Sequence, residues 1–270
     1  MEQHYANETH QVLSKFLKKQ KRIDVFLPPD YDANTNKTHN LVVMNDGQDA
    51  KALHIRPTLD KLHQENLIES TILVAVHASG RLHEYGTAGH PDYANRGDQA
   101  KAYTSFVLYE LMPFLNHRYK IDRKPEAKAM LGCSLGGLSA FDIAWNHPNI
   151  FARVGVCSGS FWWRRHSAND DQAQIDRIIH SIVRHSNKKE GMKFWFQAGT
   201  HDETSDRNNN GIIDAIEDTL DLIAELVFKG YDNKTDIRYL EVEGGEHNQK
   251  TWAVVIPDFL MWTFGKDKNT

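Results

Sequence analysis

"AMLGCSLGGLSAF", residues 129 to 141, decides how this chain is read. An apolar run ends in Gly132-Cys133-Ser134-Leu135-Gly136, Gly137 comes next, and "LSAFDIAWNHP" continues with helical period. The pattern is G-x-S-x-G at a strand-to-helix turn. A serine in such a sharp turn needs neighbours two residues away without side chains, so that strand and helix can cross closely. Its hydroxyl then projects above the sheet, and the first amides and positive dipole end of the helix face any anion forming beside it. A glycine-rich turn with a capping serine is the plainer reading of the same letters; the flanking strand and helix patterns favour a nucleophile.

Working outward, short apolar or β-branched runs alternate with longer stretches of helical period. Strand candidates are 22–28, 41–46, 71–79, 127–133, 152–159, 193–199 and 237–245, and covering helices are expected over 103–119, 218–230 and 251–264. The alternation predicts an α/β fold with a mainly parallel central sheet flanked by helices. "HQVLSKFLKKQKRIDVFLPPDY" reads as two strands joined by a charged turn, so the sheet should begin with an N-terminal antiparallel hairpin. No linker or repeat divides the 270 residues, which are expected to form a single domain over 1–270.

Composition excludes some partners. Thirty-two basic and 36 acidic residues are interspersed at a net charge of −4, without a basic stripe, so nucleic acid is not expected. No uncharged run reaches the roughly 18 residues that span a bilayer. The first 20 residues contain no apolar core of signal-peptide length. A cytoplasmic protein without a membrane partner is therefore expected, with its oligomeric state left open. The two cysteines, Cys133 and Cys157, lie in strand-like segments and do not suggest a disulfide framework.

A serine hydroxyl needs a base, and the base needs an orienting carboxylate. In this type of fold the chain order is Ser, acid, His. Ligands gather at the carboxyl ends of parallel strands, which makes the residues after each run the ones to weigh. His247 follows the last strand in "YLEVEGGEHNQKTW", and Asp202 follows the one before in "FWFQAGTHDETSD", with the adjacent Glu203 as competitor. The oxyanion of acyl transfer needs two backbone donors. These are assigned to Leu135, just after the serine, and Gln48, in "VVMNDGQDA".

Next to the acid, "DRNNNGIIDAIE", residues 206 to 217, matches the calcium-loop pattern D-x-[DN]-x-[DN]-G-x5-E throughout. Asp206, Asn208 and Asn210 would supply side-chain oxygens, Ile212 its carbonyl, Asp214 a ligand directly or through water, and Glu217 both carboxylate oxygens. A structural Ca2+ that stiffens the acid-bearing loop is expected, with modest affinity because two ligands are neutral. No organic cofactor is expected. "SGSFWW" places Phe161, Trp162 and Trp163 after another strand, as candidate walls of a substrate pocket, although three consecutive aromatics cannot all point the same way. Arg81, His83, Arg164 and Arg165 could favour an anionic substrate, but solvated surface charge is the plainer account.

Together "RIDVFLPPDY", "VVMNDGQ", "RLHEY", "GCSLGG", "SGSFWW", "GTHDE" and "GGEHNQKTW" resemble the esterase D branch of the α/β-hydrolases, including its enterochelin esterase-like members, over nearly the whole chain. The resemblance implies an α/β-hydrolase fold and a serine carboxylesterase acting on a small-molecule ester. By it, Ser134 is the nucleophile, Asp202 the acid and His247 the base, with Gln48 and Leu135 donating to the oxyanion. The calcium loop departs from most of that branch. Two alternatives stand beside this reading: a non-catalytic binding homologue that keeps the fold, and a thioesterase of the S-formylglutathione hydrolase type.

Overall fold

The computed structural model describes residues 4–167 and 176–266. Eight strands form one sheet: β1 (Ala6–Ser14), β2 (Lys19–Leu27), β3 (Asn40–Asn45), β4 (Thr71–Val76), β5 (Lys128–Cys133), β6 (Arg153–Cys157), β7 (Lys193–His201) and β8 (Ile237–Glu246). Their order across the sheet is β1-β2-β4-β3-β5-β6-β7-β8. The β1–β2 and β2–β4 pairings are antiparallel, and every pairing from β4 to β8 is parallel. The expected hairpin and mainly parallel sheet are both present.

The helices are α1 (Ile55–Gln64), α2 (Arg81–Glu84), α3 (Ala100–Phe106), α4 (Met112–Arg118), α5 (Leu135–Asn146), α6 (Ile178–His185), α7 (Asp214–Phe228) and α8 (Gln249–Phe264). The single helix expected over 103–119 is α3 and α4 joined by a π turn at Val107–Leu111. Helix α1 escapes a scan for long periodic runs because it is short and contains Pro57. That proline sits in the first turn, where a missing N–H costs no intrahelical bond. Both faces of the sheet carry a core. On one side, over β5 to β7, Phe141 and Trp145 of α5 pack with Phe194 and Phe196 of β7, and Tyr103 and Phe106 belong to the same core. On the other, Trp195, Trp252, Ile256 and Phe259 cover the same strands. A strand covered on both faces reads as a continuous apolar run, which is why β4 and β5 were plain in the sequence. Among the described residues no helix is long and apolar enough to cross a membrane.

Contacts at the carboxyl end of the sheet bring distant loops together. A Cβ on Gly199, near the end of β7, would lie 2.2 Å from the carbonyl oxygen of Gly245, near the end of β8. The bare backbones are what let the two strand ends press together, and a register shift between Gly199 and His201 occurs at that point. Helix α8 then starts from Asn248, whose side-chain oxygen accepts from the amides of Lys250 at 3.0 Å and Thr251 at 3.1 Å.

The short helix α2 is held by a buried ion pair. Glu84, with no exposed side-chain surface, accepts from Lys21 Nζ at 2.5 Å and from Lys19 Nζ at 3.0 Å, and the Lys21 side chain is equally buried. Removing one partner of such a pair leaves the other charge uncompensated, at a typical cost of about 3–5 kcal/mol. Glu84→Ala is therefore expected to destabilise the fold by about that much in urea unfolding at neutral pH; a change below about 1 kcal/mol would mean that the pair does not anchor α2.

Candidate active site

Ser134 sits between β5 and α5 with φ 55° and ψ −125°, outside the regions that ordinary side chains occupy. The glycines around it explain how that conformation is tolerated. A Cβ on Gly132 would lie 2.2 Å from Gly136 O, and one on Gly137 would lie 2.7 Å from a Val156 methyl on the neighbouring strand. The Ser134 amide donates to Cys157 O at 2.8 Å, and the Ser134 carbonyl accepts from Gly137, Leu138 and Ser160. Strand end, helix start and the 158–160 loop thus all fix one residue. The hydroxyl oxygen lies 3.3 Å from Ser160 Oγ.

The loop that carries Gln48 is equally constrained. Asp46 adopts the left-handed region at φ 57° and leads into a 3-10 turn at Gly47–Asp49. As the second residue of that turn, Gln48 carries an N–H without an intrahelical acceptor, and so does Leu135 at the first position of α5. The Gln48 side chain bridges Asp46 Oδ1, at 2.8 Å, and the Ala78 amide, at 3.0 Å, so it braces the loop rather than facing a ligand. The loop is tied to the elbow by Asn45, whose amide nitrogen donates to Gly136 O at 2.8 Å and whose oxygen accepts from Tyr103 at 2.6 Å. Gly136 packs against the same loop: a Cβ there would meet Asp46 Oδ2 at 2.6 Å.

Asp202 and His247 arrive on the strand ends joined at Gly199 and Gly245. The Asp202 side chain is fully buried; Oδ2 accepts from the Gly199 amide at 3.0 Å, and Oδ1 lies 3.8 Å from His247 Nδ1. Oδ1 has no hydrogen-bond partner. A buried carboxylate oxygen left open costs free energy unless a donor reaches it, and the imidazole is the donor it faces. The gap exceeds hydrogen-bond length by about 1 Å, the looseness seen in many ligand-free active sites. The His247 ring also stands edge-on to Trp252, with centroids 5.1 Å apart, and Trp252 Nε1 donates to Ser158 Oγ at 2.9 Å. Burial holds the imidazole below its ordinary pKa; Asp202 pulls it upward and the Arg81 charge adds to the lowering.

Ser134 and His247 line two cavities in common. One, of about 270 Å³, is completed by Ser158, Gly159, Ser160, Trp162, Asp202, Glu203 and Ala215. The other, of about 260 Å³, is completed by Asp46, Gln48, Asp49, Arg81, Cys133, Gln249 and Trp252. Ser134, Asp202, His247 and Gln48 thus border these two adjoining cavities, and Leu135 directly follows Ser134 in the chain. No hydrogen bond joins Ser134 to His247 among the described residues; the serine hydroxyl pairs with Ser160. Of the three aromatics, only Trp162 reaches the cavity. Phe161 and Trp163 are fully buried, Phe161 against Phe141, Phe196 and His180, and Trp163 with its indole N–H on His90 O. Glu203 lines the cavity too, half-buried, its carboxyl pushed up chiefly by burial and then by the nearby Asp214 charge.

Arg81, expected as solvated charge, is instead fixed in the site. Its Nε lies 3.0 Å from both Asp46 oxygens, and Nη2 donates to Cys133 O, the carbonyl just before the serine, at 3.2 Å. The RLHEY segment is thereby explained: Arg81 clamps Asp46, Glu84 holds Lys21, and Tyr85 Oη accepts from the Asp46 amide at 2.9 Å. Sequence reading missed Arg81 and Ser160 as site residues. The distance of Arg81 from the motif serine hid it, and only the contiguity of Ser160 with "SGSFWW" offered a signal.

The segment 206–217 folds as a tight loop. Asp206 accepts from the amides of Asn210 at 3.1 Å and Gly211 at 2.8 Å, and Asn210 Oδ1 accepts from Ile212 N at 2.8 Å. Asn208 and Asn210 both donate to Glu217 Oε1, at 2.7 and 2.8 Å. Arg207 reaches two of the same carboxylates, its amide on Asp214 Oδ1 at 2.9 Å and its Nε 3.5 Å from Glu217 Oε2. Among the described residues, no group of three or more His, Cys, Asp or Glu is gathered as a metal site, and the asparagines hold two of the positions in this loop.

Comparison with known proteins agrees with this geometry. The family described as "Putative esterase" matches residues 14–263. An uncharacterised protein of Bacillus subtilis (strain 168), YbbA, is 22% identical over 93% of this chain and 95% of its own length. The iron(III) enterobactin esterase of Escherichia coli (strain K12) is 24% identical over 88% of this chain, which spans only 52% of that protein. Among solved structures, a ferulic acid esterase superposes with a TM-score of 0.74 at 16% identity, covering 97% of this chain and 98% of its own. The enterobactin esterase of Shigella flexneri superposes with a TM-score of 0.71 at 20% identity, covering 96% of this chain and 59% of its own. With an α/β-hydrolase-like sheet and a family match over most of its length, the chain belongs to the esterase family and is a carboxylic ester hydrolase.

Proposed function

We propose that this enzyme hydrolyses a small-molecule carboxylic ester through an acyl-enzyme, with Ser134 as nucleophile, His247 as general base and Asp202 as the carboxylate that orients it. The observation that carries the reading is the unpartnered, buried Asp202 Oδ1 aimed at His247 Nδ1, while His247 and Ser134 border the same two cavities. Ser134 Oγ attacks the ester carbonyl carbon as its proton passes to His247 Nε2. The carbonyl electron pair moves onto oxygen, where the amides of Leu135 and Gln48 receive the charge. Collapse of the adduct re-forms the carbonyl, breaks the bond to the alcohol oxygen, and returns the proton from His247 to that leaving group. Water then repeats the sequence, releasing the carboxylic acid and freeing Ser134. Asp202 keeps the Nδ1 proton in place and stabilises the imidazolium without taking the proton.

Two kinetic results test this. With p-nitrophenyl butyrate, Ser134→Ala should lower kcat on the order of 10^6-fold and Asp202→Asn on the order of 10^4-fold, the sizes seen in serine proteases, with both variants folded by circular dichroism. Losses below tenfold would remove these residues from the mechanism. The pH profile follows from the lowered imidazole. The neutral form is the active one, so kcat/KM should rise with pH along an acid limb centred below the ordinary 6.5 and level off above it. An acid limb centred above 7 would contradict His247 as the base.

We further propose that residues 206–217 bind Ca2+ as a structural ion, through Asp206, Asn208, Asn210, Ile212 O, Asp214 and Glu217. The donor set is all oxygen, as a hard cation requires, and the loop already turns at Asn209, φ 54°, and Gly211, φ 87°. When bound, the ion would replace the contacts of the two asparagine amides with Glu217 and stiffen the loop between Asp202 and α7. Chelation with EGTA should lower Tm by several degrees and Ca2+ should restore it, whereas Glu217→Gln should abolish the response. A melting curve indifferent to both additions would remove the ion from the account.

A further inference from the structure

The two cavities that meet at Ser134 are unequal in charge. On the Arg81 side the guanidinium is committed to both oxygens of Asp46, itself 3% exposed, which leaves Asp49 as an additional carboxylate at that wall. On the Trp162 side no lysine or arginine among the described residues lines the cavity. Its ionisable groups are His247, Asp202 and Glu203, and the remaining polar surface is hydroxyl, from Ser134, Ser158 and Ser160.

Three arginines lie beyond these walls: Arg96, Arg207 and Arg164, the last donating from Nε to the Trp162 carbonyl at 2.9 Å. Arg96 lies behind Trp162, stacked 5.0 Å from its ring and paired with Asp92. Arg207 lies behind Glu203, bonded to Asp218 and close to Asp214 and Glu217. Asp202 belongs to the imidazole, so the carboxylate left facing the Trp162 cavity is that of Glu203. A partly desolvated wall with one unspent negative charge attracts a positive or hydrogen-bond-donating group and repels a negative one.

From this we infer that Glu203 sets substrate choice by charge: the moiety seated between Trp162 and Glu203 is cationic or rich in hydroxyl donors, and esters with an anionic group there are rejected. Trp162 adds to the preference, since an indole face also attracts cations. Arg81 does not favour an anionic substrate, because Asp46 spends its charge. The inference rests on the serine esterase reading and narrows its substrate class.

The test compares p-nitrophenyl esters of three acids of matched length: 4-(trimethylammonio)butyrate, 5,5-dimethylhexanoate and hemiglutarate. A second series places the charge on the alcohol: acetates of 2-(trimethylammonio)ethanol, 3,3-dimethylbutanol and glycolate. In at least one series kcat/KM should fall from cation to neutral to anion, by at least about tenfold between the ends, which corresponds to about 1.4 kcal/mol. The ratio should shrink as salt rises from 10 mM to 0.5 M. In Glu203→Gln, which keeps an oxygen to accept the Ala215 amide, the cation-to-anion ratio should drop at least fivefold; the ratio within each enzyme cancels any general loss of activity.

Ratios within twofold in both series, a preference for the anion, or a ratio unchanged by Glu203→Gln and by salt would each overturn the inference. If the neutral esters are hydrolysed without a charge preference, only this inference fails. If no neutral ester is hydrolysed and Ser134 takes no fluorophosphonate label, the esterase mechanism fails with it.

Discussion

The site depends on one strained residue. Ser134 is held at positive φ because strand β5, helix α5 and the β6 loop leave it no alternative: Gly132 and Gly136 are in backbone contact, and Cys157 and Ser160 bond the serine main chain on either side. Such a conformation costs of order 1–3 kcal/mol and persists only where its surroundings over-determine it. Here the surroundings include the loop that carries Gln48, tied to the elbow through Asn45 and Gly136. In the proposed mechanism, nucleophile and oxyanion donors are therefore parts of one assembly, and the strain that presents the hydroxyl also positions the amides beside it.

Asp202 and His247 are arranged differently. They sit on the ends of adjacent parallel strands that touch at Gly199 and Gly245, so their approach depends on two glycines and a bulge instead of a helix start. Asp202 is buried and fixed by the Gly199 amide, while the His247 side chain is 39% exposed and rests on Trp252. The 3.8 Å separation lies between a buried acceptor and a partly exposed ring. Bound substrate, by excluding water from the exposed face of the ring, would favour the shorter contact.

Much of this was legible in the sequence because the signals were local. Strands buried on both faces appear as unbroken apolar runs, and the G-x-S-x-G turn carries its own steric logic. Asp202 and His247 were proposed from their places after β7 and β8, which is a topological argument and does not require contact information. What the sequence did not reveal were long-range pairings. Arg81 looked like surface charge because Asp46, 35 residues away, gives no sign of needing it. Trp162 could not be told from Phe161 and Trp163, since which of three adjacent rings faces a cleft is decided by the sharp turn after β6 and the core beneath it. The two sides of the cleft differ in charge for the same reason: the balance is set by which carboxylates already have partners.

The central claim is that the strained serine at the end of β5 is the group that becomes acylated. Peptide mapping by tandem mass spectrometry after treatment with a fluorophosphonate tests it most directly. The account predicts a single adduct on Ser134, lost in Asp202→Asn and His247→Ala at equal exposure times. An adduct on Ser158 or Ser160 instead, or equal labelling with and without the histidine, would contradict it.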